Sequence, residues 1–134
     1  MLKKFLLTGA FLCAASNVVF AAETKTIQGE VVDLSCYVAE GAQGAAHETC
    51  GIACIKNGEP AGILEDKTGK VYLVVTADHS SPATKILPFV GKMVEVSGTV
   101  NERAGIRTVD IQTIKEVPAK AAIPVAAPMQ EKSW

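Results

Sequence analysis

Residues 92–117 read KMVEVSGTVNERAGIRTVDIQTIKEV, and this stretch decides the fold. Apolar residues recur at strand spacing twice, at Met93, Val94, Val96 and Val100 and then at Ile106, Val109, Ile111 and Ile114, on either side of NERAG. Side chains in a strand point alternately to opposite faces, so this pattern predicts two half-buried strands joined by a hairpin.

Toward the N-terminus, Ser80-Ser81-Pro82 is followed by ATKILPFVG. Serine at a cap and proline in a first turn predict a short helix, closed early by Pro88 and Gly91. Before it, PAGILEDKTGKVYLVVT holds the apolar runs Ile63-Leu64 and Val71 to Val75 around the turn-forming Asp66, Lys67, Thr68 and Gly69, which predicts a second hairpin. Farther back, TIQGEVVDLSCY predicts a first strand with Val31, Val32 and Leu34 as core candidates and Cys36 at its end. The segment between, VAEGAQGAAHETCGIACIKNG, loses β-branched residues and gains alanine and glycine. It predicts a loop and then a short helix from about Ala45 to Lys56, stopped by Asn57-Gly58 and weakened by Gly51.

The resulting order is strand, insertion, strand, strand, short helix, strand, strand. This is the order of a mainly β, five-stranded OB-like barrel, with a short Cys/His-bearing helical insertion after strand 1 and a short helix between strands 3 and 4. An open β-sandwich is the alternative architecture.

The ends of the chain differ from this domain in composition. MLKKFLLTGAFLCAASNVVFA has a basic start, an apolar run and small residues before Glu23, the layout of a secretory signal peptide over residues 1–21 with cleavage after Ala21. Thr8, Ser16 and Asn17 interrupt the run, so no stable membrane insertion is expected after cleavage. Leu12 stands where a small residue precedes a lipidated cysteine, which argues against Cys13 as an anchor. The expected location is periplasmic or secreted. Residues 118–134 contain Pro118, Pro124 and Pro128 among alanines and read as a flexible tail ending in Trp134, the one tryptophan. The domain expected at 22–117 has room for one modest core.

Removing Lys3 and Lys4 with the leader lowers the thirteen basic side chains to eleven, against fourteen acidic ones. That balance does not attract nucleic acid, and the few aromatics give bases little to stack on. The partners expected are instead a metal ion and another exported protein, the latter through the barrel face or the tail.

The metal expectation rests on HETCGIAC, His47 to Cys54. In a helix, His47, Cys50 and Cys54 fall at i, i+3 and i+7 on one face. Cys36 closing over that face completes three sulfurs and one imidazole, a set suited to one transition-metal ion, copper or zinc. A disulfide competes with this reading, since an exported protein meets an oxidising compartment. Three cysteines cannot all pair within one chain, and a bridge from Cys50 to Cys54 along a regular helix is strained, so Cys36 would be one partner. A disulfide-stapled binding or scaffolding module without metal is therefore the alternative.

No C-x-x-C-H or C-x-x-C is present for haem attachment or a thioredoxin-type dithiol. Thiol oxidoreductase chemistry at Cys50 or Cys54 ranks behind both readings, because no oxyanion hole or substrate pocket is legible. The chain is thus expected not to be an enzyme. His79 reads as a loop residue, Met93 as a strand residue and Met129 as part of the tail, while Asp33 is a candidate acceptor for the His47 N–H.

Taken together, GEVVDLSCY, HETCGIAC, NGEPAGIL, GKVYLV and LPFVGKMVEVSGTV…GIRTVDIQTI resemble a group of small exported bacterial proteins. That group pairs a Cys, His-x-x-Cys-x3-Cys insertion with an OB-like barrel. The resemblance spans roughly residues 27 to 116 and implies the fold and a site at Cys36, His47, Cys50 and Cys54, but no substrate.

Overall fold

The structure is a computed structural model that describes residues 22–118. The leader with Cys13, and the tail beyond Pro118 with Met129 and Trp134, lie outside the described residues.

Five strands close into a barrel in the order β1-β2-β3-β5-β4: β1 Glu23–Asp33, β2 Ala61–Glu65, β3 Val71–Val75, β4 Met93–Arg103 and β5 Ile106–Glu116. The expected OB-like barrel is the observed one. Closure gives every strand two neighbours, and β1 divides its length between them. It pairs antiparallel with β4 over Glu23–Glu30 and with β2 over Gly29–Asp33. Gly29 sits in the overlap, where a Cβ would lie 2.2 Å from the Leu64 carbonyl oxygen. Only glycine lets the two backbones approach so closely. The last seam is the parallel pairing of β3 with β5, Leu73 opposite Thr108.

The opening stretch forms β4 and β5 as expected, with a change of phase inside β5. Ser97 faces Thr113, but Gly98 faces Ile111, so Gln112 is an extra residue in the ladder. A bulge of this kind switches which parity points inward. Val109 and Ile111 are buried before it and Ile114 packs on the core after it, whereas Ile106 at the hairpin end is 62% exposed. The turn takes Ala104 and Gly105 through positive φ, 51° and 82°, as a two-residue hairpin turn matched to strand twist requires.

Inside, Ile27, Val31, Ile63, Tyr72, Val74, Val94, Val96, Val109 and Ile111 form the core. One end is plugged by the short helix α3, Ala83–Ile86, and the 3-10 turn Leu87–Phe89 that continues it, with Ile86 and Val90 buried. The helix is where it was expected, but its start is shifted: Pro82, not a serine, stands at the cap and so precedes the first turn, while Ser81 one place earlier accepts from Ala83 N at 3.3 Å.

The insertion departs from expectation in where its helices begin. β1 stops at Asp33, and residues Leu34–Glu40 form a helix, α1, so Cys36 lies in a helical first turn and not at a strand end. The physical reason is Asp33 itself. Its carboxylate accepts from Ser35 N at 3.1 Å and from Cys36 N at 3.3 Å, capping the helix, and Gly41 in the left-handed region closes it. The next helix starts later than the expected Ala45: residues Ala45–His47 form a 3-10 turn, so His47 stands at the cap of α2, Glu48–Lys56, and not within it, while α2 ends at Asn57 and Gly58 as expected.

Among the described residues, no helix is long and apolar enough to cross a membrane.

Candidate metal centre

α2 packs against β1 and the Leu87–Phe89 turn. Ile55 is 4% exposed within the barrel core, and Ile52 packs against that core from the side. The approach is set by Gly51. A Cβ there would lie 2.9 Å from Val90 Cγ1, 3.6 Å from His47 Cδ2 and 3.7 Å from Asp33 Cβ. The residue that weakens the helix in isolation is the one that lets it sit down on the barrel. Gly91, at φ 73°, makes the matching concession from the barrel side, where a Cβ would meet the Gly44 carbonyl oxygen at 2.9 Å.

This packing brings the end of β1, the first turn of α1 and the face of α2 together. One ligand atom from each of Cys36, His47 and Cys50 lies within 4.8 Å of the others. The same holds for Asp33, Cys36 and Cys54. All four residues expected at the site are therefore present, distributed over two groups that share Cys36. A tetrahedral ion with ligands about 2.3 Å away spaces them about 3.8 Å apart, so at most about 1 Å of closure separates each group from a coordination shell. Cys36, Cys50 and Cys54 are free thiols, and the insertion meets the barrel without a sulfur–sulfur bond.

The electrostatics turn on one carboxylate held ionised beside thiols that it keeps protonated. Burial pushes the Asp33 carboxyl upward, but the Cys36 thiol and the N–H groups of Ser35 and Cys36 outweigh it and hold it below the ordinary aspartate range. The same contact acts in reverse on the thiol. Hydrogen bonding to Asp33, with burial, pushes Cys36 up to about 12. Burial and then the Asp33 charge also raise Cys54. Beneath them, burial raises the Glu30 carboxyl, opposed by the Gly44 N–H it accepts.

His47 is the unsatisfied member. Its Nε2 is buried with no hydrogen-bond partner, 3.8 Å from Asp33 Oδ2, too far for a hydrogen bond. Asp33 thus lies where an acceptor for His47 was expected, but its role is larger than that. It caps α1, contacts the Cys36 thiol and belongs to one of the ligand groups. Its signal in the sequence was Asp-x-Ser-Cys, a carboxylate two and three residues ahead of N–H groups that need a cap.

The remaining candidates lie elsewhere. His79 sits in the loop before α3 at φ 60°, and Met93 opens β4, half-buried. Neither belongs to the two ligand groups. Compared with protein-family models, with curated proteins and with solved structures, the chain matches none, so the chemistry of the centre is read from its own geometry.

Proposed function

We propose that this is an exported protein whose work is to bind a transition-metal ion, copper or zinc, through Cys36, His47, Cys50 and Cys54. One observation carries the reading: a buried imidazole nitrogen without a partner stands beside free thiols and a buried carboxylate. A buried polar atom left unpaired costs about 1–3 kcal/mol. A buried charge is tolerated when it is paired or coordinates a metal. A soft or borderline cation answers both needs at once, taking the imidazole lone pair, replacing thiol protons and neutralising Asp33.

Exposure follows the same logic. The His47 nitrogen lies at the floor, Cys36 and Cys54 are half-buried and Cys50 is exposed. An ion held this way is anchored from inside and reachable from outside, which suits handling of metal more than a closed structural site.

The test is to purify the chain from the periplasm without chelator and compare native with denatured mass, with and without thiol alkylation. The expected result is a metal-sized increment in the native mass and three alkylatable thiols once the ion is removed. A metal-free chain two hydrogens light, with one alkylatable thiol, would overturn the reading and make the cluster a staple.

A further inference from the structure

The two ligand groups share one atom. Cys36, His47 and Cys50 form one triad, Asp33, Cys36 and Cys54 form the other, and the Cys36 sulfur is in both. From this geometry we propose that the centre holds two divalent d10 ions of the zinc class, bridged by the Cys36 thiolate, with Asp33 as a direct ligand of the second. The inference rests on the metal-binding reading above and extends it from one ion to two.

Three considerations support the pair. The first is charge. Three thiolates and one carboxylate carry four negative charges, His47 as a neutral ligand carries none, and two divalent ions carry four positive ones. A single divalent ion leaves two of these anionic groups uncompensated or protonated. The second is ligand capacity. Each Asp33 oxygen accepts one backbone N–H, and a carboxylate has about four lone-pair sites, so the cap and an ion are compatible. A thiolate sulfur likewise has lone pairs enough for two ions.

The third is coordination. Each ion receives three protein ligands, and zinc accepts a fourth from solvent. The exposed Cys50 marks the side from which solvent reaches the first triad. The proton balance is simple: three thiols give up three protons to solvent as the two ions bind, with no change of oxidation state.

Titration of the purified full chain with zinc(II), followed by native mass spectrometry, decides the matter. The expected result is two ions per chain. Cys54→Ser should keep one, on Cys36, His47 and Cys50, and His47→Ala should keep one, on Asp33, Cys36 and Cys54. Cys36→Ser removes the shared ligand and should retain none at the same zinc concentration. Cadmium-113 NMR of the loaded chain should show two resonances in the parent and one in each of the first two variants.

Asp33→Asn should also fall to one ion; because Asp33 caps α1, Cys54→Ser tests the same triad without touching the cap. A parent chain that saturates at one ion overturns the two-ion centre while leaving the metal-binding reading standing. A chain that takes up none removes both. Two ions retained by Cys36→Ser would overturn the bridge.

Discussion

Val94 and Val96 of β4 and Ile63 of β2 are completely enclosed by the barrel, whereas between Leu34 and Lys56 only Gly51 and Ile55 are buried. The barrel is ordered by apolar area withdrawn from water, reinforced by a ladder that closes on itself. The insertion is ordered by a capping carboxylate, a left-handed glycine, one close helix–barrel contact and a cluster of thiols around an unpartnered imidazole. The difference teaches where ligand free energy can act. A segment with little buried apolar surface has low local stability, and binding shifts such segments most.

The largest effect should come from the barrel. Ile63→Ala should destabilise the chain by about 2–5 kcal/mol in denaturant unfolding, because a void replaces a fully enclosed side chain. The same measurement on Ile52→Ala, a partly buried residue of α2, should give a clearly smaller loss. Equal losses would break the comparison.

Next comes metal. Zinc at about a hundredfold excess over its Kd should stabilise the chain by about 2.7 kcal/mol. Hydrogen exchange should slow first in α1 and α2, and slowing spread evenly over barrel and insertion would show one cooperative unit. Gly51→Ala tests the contact between the regions. Alanine favours the helix by about 1 kcal/mol, but its Cβ at 2.9 Å from Val90 must displace one element, so a net loss of about 1–2 kcal/mol and weaker zinc binding are expected. A more stable variant with unchanged binding would show that the close approach is not required.

A smaller effect is expected at Glu65 on the barrel. Burial raises its carboxyl, but the Thr68 hydroxyl and Lys25 outweigh this and hold it below the ordinary glutamate range. A depressed carboxyl contributes stability that is present above the unfolded value and lost as pH falls through the lower folded one. Lys25 is partly solvated, so Glu65→Gln should cost less than about 1 kcal/mol at neutral pH and make the acid side of the stability curve shallower. An unchanged acid limb would contradict the assignment. The smallest effect belongs to Val38 on α1, which is 79% exposed. Val38→Ser should change stability by less than about 0.5 kcal/mol, and a larger loss would reveal packing on the outer face of the insertion.

The alternation in residues 92–117 and the punctuation of the two hairpins were enough to place four strands, and the β-branched run ending at Val31-Val32 placed the first, because core-facing side chains impose their period locally. The phase change at Gln112 was not legible. It follows from how β5 must bend to stay paired with β4, and a bulge leaves no period of its own. α1 was masked for a similar reason: DLSCY continues an apolar run, and only the capping bonds of Asp33 turn the chain into a helix there.

The sequence by itself determined the ingredients of the centre: three thiols and an imidazole, with His47, Cys50 and Cys54 at spacings that helix geometry brings to one side. Tertiary structure decided that these residues divide into two triads around Cys36, that Asp33 belongs to one of them and that Gly51 admits the helix closely enough to the barrel for both to form. Local spacing fixes direction along one element. Distance between elements is set by what packs between them, and here that is a missing Cβ.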